Sequence, residues 1–468
     1  MHVSSLWGSY SEGGFGKAAY EWIDFLRDCG FGVWQVLPFC LPDDCNSPYK
    51  SFGAFSINPN FIDLEVLYEA GLLTHEELSE AEQKTPYACE FDRLAEERMA
   101  LLSRAASRVR DRQPIDAFLD AHPQSASFCR FMAIKAANGG GEWQDWTVEA
   151  PDEEVLVTWE FTQYEAYRQW MAVKKYANDR GISIVGDIPI YVASDSADVW
   201  ANRELFQLDD CYRPEAQAGV PPDYFCEDGQ LWGNPLYDWR RMKQDNYAWW
   251  RARMAFMLEL FDGVRIDHFR GLESYFSIPA GEKTARNGKW KKGPGMSLIR
   301  ALRSVAGDRL IIAEDLGDIT PEVRRLVENS GYPGMRVLQF AFLGDENSPH
   351  LPHNYENNCV AYTGTHDNNT LLGYIWEQDE ANRRRILSYC GYEGEWDRCY
   401  DAILRMMLAS SAGLVILPVQ DLLCYGSDTR LNTPGRSDGN WSYRLTRDQL
   451  GGVSREKYRA WNRLYGRN

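Results

Sequence analysis

Three acidic residues close short apolar runs. Asp267 ends Gly263-Val-Arg-Ile-Asp267, Glu314 ends Leu310-Ile-Ile-Ala-Glu314, and Asp367 ends Tyr362-Thr-Gly-Thr-His-Asp367. Arg265 stands two residues before Asp267, so on a strand both side chains project to one side. A neighbouring positive charge favours the ionised carboxylate, so Arg265 is expected to hold Asp267 charged. Asp187, in Ile182-Ser-Ile-Val-Gly-Asp187, can join from an earlier strand end. Two or three convergent carboxylates suit cleavage of a glycosidic bond. One attacks the anomeric carbon and another protonates the leaving oxygen. Crowding and partial burial would raise the pKa of the acid. The competing chemistry is a divalent-metal site, with His268 and His366 as further ligands. Beside the acids, the two histidines also suit hydrogen bonds to sugar hydroxyls.

These residues need a scaffold that brings strand ends together. Seven strand signals are visible, at Val33–Pro38, Ile182–Val192, Phe261–Asp267, Leu310–Gly317, Met335–Phe342, Cys359–Gly364 and Leu414–Asp421. Helical stretches separate most of them, such as Ala18–Cys29, Met242–Leu260, Pro321–Ser330 and Ala381–Gly391. Strand–helix alternation predicts a parallel sheet covered by helices. Eight such units make a (β/α)8 TIM barrel of the α/β class, whose site lies at the C-terminal strand ends. An eighth strand is expected near Phe55–Leu64. The acids are 47 and 53 residues apart. The first gap suits one unit with a small excursion, and the second suits two.

Two stretches depart from the alternation. Residues about 62–178 are helical and charged, and predict an inserted, mostly helical subdomain within a single catalytic unit spanning 1–468. Residues about 193–240 are rich in Pro and Gly and predict a long substrate-loop insertion. The Ser-, Tyr- and Pro-rich stretch Ser47-Pro-Tyr-Lys-Ser-Phe52 follows the first strand and is a candidate substrate loop.

Composition narrows the partners. The formal net charge of -18 argues against nucleic acid and an anionic membrane surface, and is compatible with a neutral substrate. Aromatics are 13% of the chain, with 17 Trp and 25 Tyr. Most pack the core, but such rings also offer flat faces to sugars. The 11 cysteines show no paired spacing, so neither a disulfide framework nor a zinc site is expected, and a reducing cytoplasm is. No apolar run is long enough to cross a membrane, and no signal peptide stands at the start.

Arg265-Ile-Asp267, Ile312-Ala-Glu314 and Thr365-His-Asp367 resemble the catalytic motifs of the α-amylase clan. Further stretches narrow the resemblance to the 4-α-glucanotransferases (amylomaltases, or disproportionating enzymes), glycoside hydrolase family 77. They are Trp34-Gln-Val-Leu-Pro38, Ser47-Pro-Tyr-Lys-Ser-Phe52, Gly186-Asp-Ile-Pro-Ile-Tyr191, Asp195-Ser-Ala-Asp-Val-Trp200, Pro221-Pro-Asp-Tyr-Phe225, Gly229-Gln-Leu-Trp-Gly-Asn-Pro235, Arg430-Leu-Asn-Thr-Pro-Gly435 and Asn440-Trp441. The resemblance implies a barrel with inserted subdomains and no C-terminal β-sandwich domain. It implies transfer of α-1,4-glucan segments to glucose or another maltooligosaccharide, with no cofactor and no metal. Asp267 would be the nucleophile, Glu314 the acid/base and Asp367 the transition-state stabiliser. Arg265, His366, Asp187, Ser47 and Tyr49 match substrate residues, with Tyr49 stacking beside the scissile bond. Tyr224, Phe225 and Trp232 match the acceptor side and Asn432 the donor side. Two other readings remain at this stage: an α-glucan hydrolase of the same clan, and a catalytically silent glucan-binding protein. The turn Tyr10-Ser-Glu-Gly13 departs from the family's usual pattern by placing charged Glu12 where an apolar residue is common.

Overall fold

Seven short strands run parallel in one curved sheet. They are β1 (Val33–Gln35), β2 (Ser183–Ile188), β5 (Gly263–Ile266), β8 (Ile311–Ala313), β9 (Gly334–Val337), β10 (Cys359–Tyr362) and β11 (Leu414–Ile416), and they neighbour each other in that order. The computed structural model describes residues 1–42, 45–222, 227–436 and 438–467. All seven expected strands are present as parallel neighbours. Their side chains alternate between two cores, as a period of two requires. Val185, Ile312, Met335, Val337, Val360 and Tyr362 form a cluster inside the ring. Val264, Ile266 and Ile184 face outward to the helices, in a larger core with Phe39, Trp170 and Phe261. Trp170 meets Phe39 edge-on at 4.6 Å, and its indole N–H donates to Leu260 O at 2.9 Å. That bond satisfies the one polar atom of a fully buried side chain.

The expected strand at 55–64 is absent. Pro59 cannot donate to a ladder, and Asn58 caps a short 3-10 turn, Pro59–Phe61, by accepting the Asn60 N–H. The sheet therefore has two edges, β1 and β11. The N-terminal segment lies against β1 at this opening. Trp34 donates its indole N–H to Met1 O at 2.7 Å, and Leu37 donates its backbone N–H to His2 Nδ1 at 3.1 Å. The ring is thus a nearly closed seven-stranded barrel of the (β/α)8 type.

Residues 62–178 carry the helices Leu64–Glu69, His75–Glu80, Phe91–Ser107, Gln113–Ala121, Pro123–Ala137 and Glu153–Asn178. The last of these packs on the helices Lys17–Cys29 and Ala248–Leu260 and on β2, and so belongs to the barrel wall. The stretch near 193–240 is more ordered than a loop. It holds the short helix Ala197–Ala201 and the strands β3 (Ala216–Val220) and β4 (Gln230–Pro235). The excursion after Asp267 adds β6 (Ser274–Pro279) and β7 (Lys289–Lys292), giving an antiparallel sheet ordered β4-β3-β6-β7. Alternation was illegible in β3 because its residues are small. A Cβ at Gly219 would fall 2.1 Å from Gln230 O, so the strands approach too closely for a side chain.

The single helix expected over 242–260 is two, Trp239–Gln244 and Ala248–Leu260, broken where Asn246 and Tyr247 take positive φ. The chain closes with the helix Arg455–Leu464 packed on Lys17–Cys29. No β-sandwich follows the barrel among the described residues, and no described helix is long and apolar enough to cross a membrane.

Candidate active site

The parallel register sets the carboxylates side by side. Asp187 on β2 is opposite Arg265 on β5, and Ile266 is opposite Ala313 on β8. Asp267 and Glu314 each follow a paired residue, so they leave neighbouring strand ends together. The ladder continues past both. Asp267 N donates to Ile188 O at 2.9 Å, and Glu314 N donates to Ile266 O at 3.1 Å.

Arg265 is the buried hub, with only 6% of its side chain exposed. Its Nη1 donates to both Asp187 oxygens at 2.9 and 2.7 Å, its Nη2 donates to Asp267 Oδ1 at 2.9 Å, and its Nε donates to Met335 Sδ at 3.4 Å. Tyr49 donates its hydroxyl to Asp187 Oδ2 at 2.7 Å. Burial alone would lower the guanidinium pKa, but Asp187 and Asp267 raise it well above its ordinary value. Burial, then Asp187, hold the Tyr49 hydroxyl well above its ordinary value, so it stays a donor.

Glu314 accepts two backbone N–H groups, from Leu316 on Oε1 at 2.8 Å and from His268 on Oε2 at 2.7 Å. Burial pushes its carboxyl up to about 7, and the Asp267 charge adds to this against the pull of Arg265. Burial likewise pushes Asp267 up to about 6, opposed by Arg265 and helped by Asp187. The expectation that Arg265 would hold Asp267 low is thus corrected: the guanidinium is there, but it is shared with Asp187 and outweighed by burial. The two acids titrate as a pair. Asp267 keeps 27% of its side chain exposed against 9% for the Glu314 residue, and it alone accepts from Arg265. It is therefore the member that ionises first.

Asp367 follows β10 and is held from the β11 side. Asn432 donates its Nδ2 to Asp367 Oδ1 at 2.6 Å, and Arg430 donates its Nη2 to the Asp367 carbonyl at 2.6 Å. His366 Nε2 lies 3.3 Å from the same carboxylate. The His366 ring stacks on Tyr49 with centroids 5.0 Å apart and planes 15° from parallel, and Trp441 lies 5.8 Å from His366. Ser47 accepts the Tyr49 backbone N–H on Oγ at 3.3 Å, so what it does here is shape the turn that presents Tyr49. The His268 ring meets Trp232 edge-on at 4.9 Å. Tyr224 and Phe225 lie outside the described residues.

The structure therefore joins Asp187, Arg265, Asp267, Glu314, Tyr49, His366, Asp367 and Asn432 into one cleft, with Trp232 at its edge. Met335 was missed, since a methionine in a strand reads as core. Arg430 and Trp441 lay in quoted motifs, but nothing local marked their tertiary partners. A metal fits poorly. The Asp187 and Glu314 oxygens are taken up by Arg265, Tyr49 and backbone donors. Among the described residues no group of three His, Cys, Asp or Glu is arranged to hold an ion. Glu12, the departure from the family pattern, is buried. Burial pushes its carboxyl up to about 7 against the pull of Arg98 and Arg444.

The model of glycoside hydrolase family 77, 4-alpha-glucanotransferase, matches residues 1–449. The 4-alpha-glucanotransferase of Synechocystis sp. is 42% identical over 494 residues, covering 100% of this chain and 97% of that protein. That of Clostridium butyricum is 40% identical over 490 residues, covering both chains completely. Among solved structures, the amylomaltase from Streptococcus agalactiae in complex with acarbose superposes with a TM-score of 0.95 at 35% identity, covering 100% of this chain and 98% of that one. The full-length match and the barrel agree, and the chain belongs to the 4-alpha-glucanotransferases of glycoside hydrolase family 77.

Proposed function

We propose that the cleft performs this transfer by double displacement, with Asp267 as nucleophile, Glu314 as acid/base and Asp367 as the stabiliser of the transition state. Asp267 attacks the anomeric carbon of an α-1,4-glucan. The glycosidic C–O bond breaks, and the Glu314 proton goes to the leaving oxygen. The departing sugar leaves and the donor fragment stays as a glycosyl ester on Asp267. Glu314, now ionised, takes the proton of an acceptor 4-hydroxyl as that oxygen displaces Asp267. One observation carries this reading: two neighbouring strand-end carboxyls, one shared with Arg265 and the other more deeply buried. That asymmetry gives one ionised and one protonated carboxyl near neutrality, as a retaining pair requires.

Donor hydroxyls would be gripped by Asp367, Asn432, His366 and Asp187, with Tyr49 against the sugar ring. Transfer beats hydrolysis if the acceptor is held in line, since oriented groups reach effective molarities of about 10⁵–10⁸ M. Trp232, with Tyr224 and Phe225, would supply that hold. The substrates we infer are α-1,4-glucans, maltooligosaccharides and glucose. The acarbose complex of the Streptococcus agalactiae relative supports an oligosaccharide-like occupant. We further infer a single catalytic unit whose helical insertion, expected near 62–178, ends before the wall helix Glu153–Asn178, with a substrate-covering insertion near 193–240. A cytoplasmic setting accords with buried Cys29, Cys89 and Cys129 standing outside any disulfide.

Incubation with maltotriose tests the reading. Glucose plus a ladder of longer maltooligosaccharides is expected, and glucose and maltose alone would make the protein a hydrolase. Asp267→Asn is expected to lower turnover at least about a thousandfold without unfolding. Near-native activity in that variant would remove Asp267 from its role.

A further inference from the structure

Asp421 closes the last of the seven apolar runs, yet nothing in the proposed transfer uses it. It is 1% exposed and lies in the short helix Val419–Leu422 that follows β11. Its Oδ2 accepts the Thr363 hydroxyl at 2.5 Å, and its Oδ1 accepts the Leu371 backbone N–H at 2.8 Å. Burial pushes its carboxyl up to about 6, against the pull of those two donors. Among the described residues no cation is paired with it. A carboxylate buried without a cation depends on its hydrogen bonds.

The two donors bracket the loop that carries Asp367. Thr363 directly follows β10, and Leu371 opens the helix Leu371–Glu377. Between them the chain is tied to itself and to its surroundings. Asn368 Oδ1 accepts both the Thr365 N–H and the Thr365 hydroxyl at 2.9 Å, and Asn369 O accepts from Gln339 Nε2 at 2.7 Å. Gly364 has no room for a side chain, because a Cβ there would fall 2.6 Å from that same Nε2. A loop tied this closely moves largely as one piece, so fixing its ends fixes Asp367. Arg430 and Asn432 hold the Asp367 residue itself, and Asp421 holds the root of the loop. All three belong to the chain after β11, which therefore clamps the loop after β10 at two levels. We propose that Asp421 is a positioning residue for Asp367: by accepting from Thr363 and Leu371 together it sets the span of the loop, and so the place of the Asp367 carboxylate against the reacting sugar. This rests on the transition-state role given to Asp367 above.

Three substitutions grade the two ties. Asp421→Ala cuts both, and Thr363→Val cuts one with little change of shape. Asp421→Asn keeps both, since its amide oxygen accepts the Leu371 N–H and its amide nitrogen donates to Thr363 Oγ. The readout is fluoride release from α-maltosyl fluoride, whose fluoride departs without an acid, in the presence of glucose. A group that acts in the transition state shows in kcat, and a misplacement of about 1 Å costs about a hundredfold. In Asp421→Ala kcat should fall about ten- to a hundredfold, and in Thr363→Val about three- to tenfold, with KM within about twofold of wild type. Asp421→Asn should stay within about threefold. The deciding measurement is a cycle with Asp367→Ala: in that background neither Asp421→Ala nor Thr363→Val should lower kcat by more than about a further twofold. Falls that persist there mean that Asp421 acts on something else, and overturn the proposal. So does an unchanged kcat in Asp421→Ala, a loss carried by KM, or an Asn variant no better than Ala. If Asp421→Ala does not fold, Thr363→Val and its cycle decide in the same way. If Asp367→Ala itself turns over at a near-native rate, the failure lies with the reading of Asp367 instead.

Discussion

Arg265 binds Asp187 with one guanidinium nitrogen and Asp267 with another. The second bond is what lets Asp267 shed its proton before Glu314. In the proposed mechanism the productive form has Asp267 ionised and Glu314 protonated, so kcat/KM should be bell-shaped. Activity is lost as pH falls through about 6, where Asp267 takes a proton, and as pH rises through about 7, where Glu314 gives one up. Because the two groups are coupled, these limbs belong to the pair. Glu314→Ala, assayed by fluoride release from α-maltosyl fluoride, should keep the acidic limb and lose the alkaline one. An alkaline limb surviving in that variant would assign it to another group. At this scale the sequence was legible: the three acids, Arg265, His366, Tyr49 and Asn432 all meet. What it hid were contacts between distant segments, such as Met335 Sδ on Arg265 and Arg430 on the Asp367 carbonyl.

The strands position these groups, and β2 shows how tightly. Asp187 points to Arg265, so its neighbour Gly186 faces outward, where a Cβ would fall 2.3 Å from the Phe261 ring. Gly186→Ala would force β2 from the helical layer and carry Asp187 with it. Overpacking of this kind costs about 1–3 kcal/mol. A lower Tm with a disproportionate fall in kcat is expected. An unaltered Tm would show that Phe261 can yield. The same alternation made the seven parallel strands readable, because each joins a β-branched or apolar run to a polar end. It could not reveal β3, whose alanines and glycine leave no such pattern, nor β4, where Gly233 and Pro235 read as a turn, nor the 3-10 turn at Pro59 in place of an eighth strand.

Stability of the whole molecule should carry the mark of the buried acid. Glu314 has a folded-state pKa of about 7 against an ordinary 4.5. The folded protein therefore binds this proton more tightly than the unfolded chain does. Its contribution is fully present below about 4.5 and is lost as pH rises through about 7, by up to about 3 kcal/mol. Glu314→Gln removes that titration. Its amide cannot accept both the His268 and Leu316 N–H groups, which costs stability equally at every pH. Relative to wild type, the variant should gain stability between pH 4.5 and 8, seen as converging or crossing denaturant midpoints. A difference independent of pH would mean that Glu314 titrates normally.

By itself the sequence determined the chemistry and the class of scaffold, because both are written in local patterns. Carboxylates at the ends of apolar runs mark strand ends, and strand–helix alternation marks a parallel barrel. The ordered family motifs followed from the same residues. Only the tertiary structure decided which carboxyl is the more deeply buried and which one meets the shared guanidinium. Ionisation depends on burial and on which carboxylate a shared guanidinium meets, and neither is a property of sequence spacing. It also decided how the barrel opens between β1 and β11, and how the His268 ring comes to face Trp232, since these depend on segments that meet only when the chain is folded.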